Sequence, residues 1–142
     1  MTLLDTNIII DACAPDSPFH QGAEELIAHA LAHDGATINA IVLAELCVGQ
    51  RDPMAVTGAL RLKGLAIADL PAAAAAICAR AFTEYRQARR RSGGGDAPAV
   101  PLPDFFIGAH AELMGWILAT RDSERIRMYF PTVHVLEPQG SR

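Results

Sequence analysis

Residues 2–13 read TLLDTNIIIDAC. The apolar run Thr2–Leu4 is typical of a short buried strand, and Asp5 ends it. The side chain of Thr6 or Asn7 can cap the apolar helix that we expect over the rest of this segment. The opening therefore predicts a strand that passes directly into a helix, with an acidic side chain at the turn.

The rest of the chain repeats this alternation of short apolar strands and longer helices. Further strands are expected at residues 36–39, 65–70, 116–119 and 132–136. Further helices are expected at residues 23–31, 41–48, 53–63, 71–91, from 103 onward and at 123–129. Strands that alternate with helices favour a mostly parallel sheet covered by helices on both faces. The sequence thus predicts an α/β fold, a three-layer α/β/α sandwich.

Length and composition favour a single domain over residues 1–142. A chain of 142 residues, 51% of them hydrophobic, can bury a core without disulfides or a structural metal. Segment 92–103 contains three consecutive glycines and three prolines. Because this composition resists helix and strand formation, we expect a mobile loop inside the domain.

Composition also excludes several classes of protein. The three cysteines are widely spaced with no CxxC pair, which argues against a disulfide framework and a zinc cluster. No apolar stretch approaches the roughly 20 residues that a membrane-spanning helix needs. A haloacid-dehalogenase-like phosphatase needs a second acid two residues after Asp5, where this chain has Asn7. We expect a cytoplasmic protein with no signal peptide and no membrane segment.

Four carboxylates are the candidate catalytic residues. Asp5 and Asp122 each follow a predicted strand where a helix begins, and ligands of an open α/β sheet bind at this carboxyl edge. Asp104 lies in the first turn of a predicted helix. Glu45 lies in a helix that we expect to be buried, because its neighbours are apolar. We expect all four to face one cleft at the edge of the sheet.

A divalent metal is the natural counterpart of such a cluster. Four uncompensated carboxylates repel one another, and burying them is costly unless a cation neutralises them. Oxygen ligands favour hard ions, so we expect Mg²⁺, with Mn²⁺ able to replace it. Such an ion can activate water for hydrolysis of a phosphodiester bond. The hydroxyls of Thr6 and Thr120 stand beside two of the acids and can support that chemistry.

The segments that contain these acids resemble the motifs of a known family. They read LLDTNII at residues 3–9, LAEL at 43–46 with Gly49 after it, PDFFIGA at 103–109 and LATRD at 118–122. In this order they are similar to the four acidic motifs of PIN domains, and in detail to those of VapC toxins from VapBC toxin–antitoxin pairs. The similarity extends over nearly the whole chain.

The resemblance implies a PIN-like fold and an Mg²⁺-dependent endoribonuclease, the toxin of a type II toxin–antitoxin system. It implies that Asp5 and Asp104 are the principal metal ligands, and that Glu45 and Asp122 complete the site directly or through water. The implied partners are an RNA substrate, a VapB-like antitoxin and a second copy of the chain. One alternative stays open, a PIN-like regulatory subunit that acts on DNA through its partner and has weak or no nuclease activity.

Basic residues cluster at the end of the predicted alanine-rich helix. The net charge of the chain is −4, and the cluster consists of Arg86, Arg89, Arg90 and Arg91. Arginine pairs with phosphate and stacks on bases, so these side chains can follow an RNA backbone. A solvated helix end favoured by the helix dipole is an equally good interpretation. Because the predicted loop leads from the cluster to Asp104, we expect positive charge beside the metal. The expected substrate is a structured RNA that these arginines hold by its phosphates and that presents unpaired nucleotides to the cleft.

Overall fold

The computed structural model describes residues 1–141 and contains a five-stranded sheet with helices between its strands. The strands are β1 (Thr2–Leu4), β2 (Ala36–Asn39), β3 (Ala66–Ala68), β4 (Ile117–Ala119) and β5 (Val135–Leu136). The helices are α1 (Thr6–Cys13), α2 (His20–Ala32), α3 (Ala40–Cys47), α4 (Pro53–Leu62), α5 (Ala74–Arg91), α6 (Pro103–Met114) and α7 (Ser123–Tyr129). Each predicted strand and helix is present, with ends that shift by a few residues.

The sheet has the strand order β3-β2-β1-β4-β5, and its strand pairings are all parallel. The prediction of a mostly parallel sheet is therefore confirmed. The first strand of the chain lies at the centre, where Leu4 pairs with Ala119 of β4. The backbone N–H of Asp5 donates to the carbonyl of Ala119 at 2.9 Å, so the residues after β1 and β4 meet at the same edge.

The order of the strands places helices on both faces of the sheet. From β1 to β3 the chain moves in one direction across the sheet, and from β3 to β5 it returns. Because crossovers between parallel strands are right-handed, α1 to α4 and α5 to α7 cover opposite faces. In agreement, α1 packs against α2, and α5 packs against α6 and α7. The predicted α/β/α sandwich is thus confirmed.

Packing against α5 and α7 fixes the helix that carries Asp104. An aromatic cluster joins these helices and is formed by Phe82, Tyr85, Phe105, Tyr129 and Phe130. A Cβ added to Gly108 would stand 2.5 Å from the ring of Phe130, which is fully buried. Only glycine allows this approach, so the motif's glycine sets the position of α6. Asp104 lies one turn earlier on the same helix.

Residues 92–102 form no helix or strand, as their composition predicts. Their mobility stays a prediction. They connect α5 to Pro103, whose fixed φ suits the first position of α6. Across residues 1–141, the helices are all too short or too polar to cross a membrane.

Candidate active site

Asp5 caps the helix that follows the central strand. Its Oδ1 accepts from the backbone N–H of Thr6 at 2.7 Å, which makes Asp5 the N-cap of α1. The sequence analysis predicted Thr6 or Asn7 as the cap, and that prediction is wrong, because α1 begins immediately after β1. The side chains of Thr6 and Asn7 are thereby left available to the edge of the sheet.

The Asp5 carboxylate lies in a poor environment for a negative charge. The residue is only 9% exposed. Its pKa is raised chiefly because burial removes water from the carboxylate. The negative charges of Asp104 and Glu45 raise the pKa further. Hydrogen bonds from Thr120 and Thr6 lower it in part. Asp104 and Glu45 are therefore both within electrostatic reach of Asp5.

Asn7 connects the ends of β1 and β4. Its Nδ2 donates to Oδ2 of Asp5 at 3.1 Å and to Oδ2 of Asp122 at 3.4 Å. Its Oδ1 accepts from the backbone N–H of Arg121 at 3.1 Å. From the sequence, Asn7 was not predicted to be a site residue. Its position one residue after the Asp5–Thr6 turn is the signal that could have identified it as a residue of the cleft.

Thr120 and Asp122 extend this network. The hydroxyl of Thr120 donates to Oδ2 of Asp5 at 2.6 Å and accepts from the backbone N–H of Asp122 at 3.1 Å. Asp122 occupies the N-cap position of α7, but its side chain makes no capping hydrogen bond. Its carboxylate instead accepts from Asn7. The structure thus places Thr120 and Asp122 beside Asp5, as predicted.

Glu45 reaches the cleft from α3. The expectation that this helix is buried is wrong, because α3 turns only Val42 into the core and leaves Glu45 exposed. Oε1 of Glu45 accepts from the Thr6 hydroxyl at 2.8 Å. The apolar neighbours on its helix therefore do not enclose Glu45, and the Thr6 hydroxyl brings its carboxylate towards Asp5.

Asp104 stands on the opposite side, in the first turn of α6 as predicted. Its Oδ2 accepts from Nη1 of Arg125 at 2.9 Å. Asp104, Asp122 and Arg125 line a polar cleft of about 310 Å³, together with Glu124. Arg125 was not predicted from the sequence, since an arginine within a short exposed helix gives no signal of its own. This residue brings positive charge to the acids.

Arg121, the arginine of the LATRD motif, pairs with Asp11 rather than with one of these four acids. Its Nη1 lies 3.3 Å from Oδ1 of Asp11, and its guanidinium lies 5.1 Å from the ring centroid of Phe19. Asp11 is buried and also accepts from the hydroxyl of Ser17. This pair ties the turn after β4 to α1, which holds Asp122 in place.

The arginine cluster lies in the last turns of α5. Arg90 and Arg91 are exposed, whereas Arg86 and Arg89 are half-buried. Nη1 of Arg89 donates to the hydroxyl of Tyr85 at 3.1 Å, so Arg89 is turned towards the aromatic cluster. The side chains most accessible to a phosphate backbone are therefore Arg90 and Arg91. Their role in RNA binding stays a prediction.

The donors around the cleft suit a hard divalent cation. Four carboxylates and two hydroxyls, those of Thr6 and Thr120, supply oxygen donors. Within residues 1–141, no three acidic, histidine or cysteine side chains converge on one point closely enough to hold an ion as they stand. Each of the four carboxylates instead accepts a hydrogen bond from another group of the protein. By the chemistry of its donors the cleft fits Mg²⁺ or Mn²⁺, provided that some of these bonds are exchanged.

Comparisons with known proteins agree on the fold. The chain matches no curated protein sequence significantly. Over 97% of its length it superposes on 98% of a chain in the VapBC2 complex of Rickettsia felis bound to promoter DNA, with a TM-score of 0.65 and 21% identity. The DNA-bound VapBC of Salmonella typhimurium gives a TM-score of 0.65 at 20% identity, covering 96% of each chain.

A third neighbour is VapC20 of Mycobacterium tuberculosis, described as a sarcin–ricin loop cleaving toxin. It gives a TM-score of 0.57 at 15% identity, covering 94% of this chain and 99% of the neighbour. At these identities the structural neighbours show the fold alone. The family model of the PIN domain matches residues 2–131. The acids at the edge of the sheet and this match lead to one conclusion, that the chain belongs to the PIN domain family.

Proposed function

We propose that this PIN domain is an Mg²⁺-dependent endoribonuclease and the toxin of a type II toxin–antitoxin pair. The observation that carries the proposal is the environment of Asp5. Its carboxylate is buried at the end of the central strand, and desolvation and the charges of Asp104 and Glu45 raise its pKa. A bound cation compensates for the lost water and for the repulsion between the carboxylates, so it explains why they lie together.

In this proposal Asp5 and Asp104 are the principal ligands, and Glu45 and Asp122 complete the site. When bound, the ion supplies Lewis-acid chemistry for phosphodiester hydrolysis. The protein's own groups orient the ligands. Thr6 holds Glu45, and Asn7 bridges Asp5 and Asp122. Hydrogen bonds of this kind fix the direction of metal-binding carboxylates.

An RNA substrate is supported by the description of the VapC20 neighbour as a toxin that cleaves the sarcin–ricin loop. We therefore propose a structured RNA that presents unpaired nucleotides to the cleft, since unstacked bases are what proteins read in RNA. Arg90 and Arg91, exposed at the end of α5, are proposed to contact its backbone together with Arg86 and Arg89.

A VapB-like antitoxin partner is supported by the neighbours solved as VapBC complexes. Next to Glu45 lies a largely apolar groove of about 530 Å³ between α1, α3 and α4. Exposed apolar side chains at its border include Ile10 and Val48. We propose this groove for the antitoxin, because an apolar surface of this kind favours a protein partner. A homodimer of the chain is proposed as well.

Cleavage of a structured RNA by the purified chain, in Mg²⁺ and in EDTA, tests the activity. We expect cleavage that needs the metal and that falls on the order of 10³-fold in Asp5→Asn and in Asp104→Asn, a loss typical of removing one electrostatic stabiliser from an active site. Asp34→Asn is the matched control, because Asp34 is exposed before β2 at the opposite edge of the sheet. Light scattering at assay concentrations tests the homodimer.

The second candidate is the regulatory subunit with weak or no nuclease activity, and the DNA-bound VapBC neighbours favour it. Cleavage that persists in EDTA, or in Asp5→Asn at the rate of Asp34→Asn, contradicts the metal-dependent nuclease. Absence of cleavage in Mg²⁺ and Mn²⁺, combined with DNA binding by the chain and its antitoxin together, favours the regulatory subunit.

A further inference from the structure

Arg125 reaches the acidic cleft from α7. Three other arginines of the described residues pair elsewhere: Arg121 with Asp11, Arg127 with Glu137, and Arg89 with the Tyr85 hydroxyl. Among residues 1–141, only the guanidinium of Arg125 is within hydrogen-bonding distance of one of the four acids, at 2.9 Å from Asp104.

The ion pair between Arg125 and Asp104 is exposed enough for another ion to replace either partner. The side chains of Arg125 and Asp104 are 38% and 34% exposed, so water competes for both charges. Half-exposed ion pairs of this kind contribute little to stability. The guanidinium also lies 5.6 Å from the ring centroid of Tyr85, a contact without a directional hydrogen bond. The contact with Tyr85 therefore does not tie the guanidinium to Asp104.

Arg125 is the positively charged side chain of the polar cleft in front of the pair. The cleft has a volume of about 310 Å³, and its other lining residues are the acids Asp104, Asp122 and Glu124. Arginine presents several N–H donors in one plane, so it can bind two oxygens of a phosphate at once. An anion that enters beside the acids finds Arg125 as its positive contact, and binding it frees the oxygen of Asp104 that Arg125 holds.

We propose that Arg125 is a substrate-binding residue that exchanges Asp104 for a phosphate of the RNA, so that RNA and the divalent metal bind cooperatively. The proposal rests on the proposed function and adds the residue that couples its two ligands. Without RNA, Arg125 neutralises Asp104 and weakens metal binding. With RNA, the freed carboxylate becomes a full metal ligand. Such coupling is reciprocal, so metal must strengthen RNA binding by the same factor.

Calorimetric titration with Mn²⁺ in the absence of RNA tests the first half of the exchange. We expect Arg125→Gln to bind Mn²⁺ three- to tenfold more tightly than the wild-type chain, because Asp104 is then free. Arg127→Gln is the matched control, since it removes the same charge two residues away on α7. Arg125→Lys should return Mn²⁺ affinity towards the wild-type value. Arg125→Gln binding Mn²⁺ no more tightly than Arg127→Gln overturns the proposal.

Binding of a single-stranded RNA in EDTA, measured at several salt concentrations, tests the second half. Arg125→Gln should bind the RNA severalfold more weakly and lower the salt dependence by somewhat under one unit of slope, the effect of one lost phosphate contact. Arg127→Gln should leave both unchanged. Equal RNA affinity and equal slope in Arg125→Gln and the wild-type chain overturn the exchange.

Asp5→Asn separates this proposal from the proposed function. Loss of Mn²⁺ binding in Asp5→Asn establishes that the titrated site is the cleft. If that loss occurs but Arg125→Gln behaves like Arg127→Gln, the role of Arg125 is overturned and the metal site stands. If Asp5→Asn binds Mn²⁺ as well as the wild-type chain, the metal site itself is wrong, and the exchange falls with it.

Discussion

The two sides of the cleft hold their carboxylates differently. On the β1–β4 side, Asp5 is buried and accepts hydrogen bonds from Thr6, Asn7 and Thr120. On the α6–α7 side, Asp104 is half-exposed and is held by the guanidinium of Arg125. The first carboxylate is held by a backbone N–H and by two short side chains, which lie at the ends of two paired central strands and in the first turn of α1. The second is fixed by a flexible side chain. The β1–β4 side therefore sets the geometry of the site, and the α6–α7 side can respond to ligands.

Among changes that keep all four carboxylates, we expect the largest effect from loss of the Asn7 side chain. Asn7→Ala deletes the donor shared by Asp5 and Asp122. We expect cleavage and Mn²⁺ affinity to fall by about 10- to 100-fold, the usual effect of losing a group that orients metal ligands. Initial rates and a Mn²⁺ titration measure this.

Gln21→Ala serves as the control for Asn7→Ala, because the amide of Gln21 donates to Glu25 on α2 and makes no contact with the four acids in residues 1–141. Unchanged Mn²⁺ affinity in Asn7→Ala would mean that the backbone alone holds Asp5 and Asp122 in place.

Two arginines four residues apart sharpen the contrast between fixed and exchangeable pairs. Arg121 pairs with Asp11, which is buried, whereas Arg125 pairs with a half-exposed Asp104. Arg121→Ala leaves a buried carboxylate with one fewer partner, so we expect the free energy of unfolding to fall by about 1–3 kcal/mol. Arg125→Ala should cost less than about 1 kcal/mol. Urea denaturation measures both, and equal losses would remove the distinction.

Beneath the cleft, a buried histidine links the helices that carry Glu45 and Asp104. Asn39 caps α3 through its Oδ1, so its Nδ2 is the donor to Nδ1 of His110 on α6, at 3.2 Å. Nδ1 must then be the unprotonated nitrogen of a neutral ring. Burial lowers the pKa of His110 below its ordinary value of 6.5. The histidine therefore resists protonation in the folded chain.

This histidine makes stability depend on pH. Below pH 6.5 the unfolded chain takes up a proton at His110 that the folded chain refuses, so stability falls as pH decreases until the lowered pKa is passed. We expect the midpoint of thermal unfolding to decrease between pH 7 and pH 5. His110→Gln keeps an acceptor for Asn39 and should show a shallower decrease. An identical pH profile for the variant would contradict the assignment.

Much of the fold was predictable because its signals are local. The opening strand, its acid and the helix after it follow one another without a loop, and Pro103 marks the start of α6. The burial of α3 was predicted wrongly, because apolar residues on a short helix do not reveal how much of it meets the core. The pairing of Arg125 with Asp104 joins residues 21 positions apart and depends on how α7 packs on α6. No spacing in the sequence encodes that contact.

The smallest expected effect comes from repulsion between the carboxylates of Glu45 and Asp5. Glu45 adds to the forces that raise the pKa of Asp5, and its Oε1 accepts from the Thr6 hydroxyl. Glu45→Gln removes the charge and keeps an acceptor for Thr6. In metal-free buffer at low salt we expect the free energy of unfolding to rise by less than about 1 kcal/mol. The gain should shrink at high salt, because screening weakens the repulsion that the variant relieves. Asp34→Asn, far from Asp5, should show no gain that salt removes. A decrease in stability for Glu45→Gln, or a gain that is independent of salt, would show that repulsion of Asp5 by Glu45 does not matter in the folded chain.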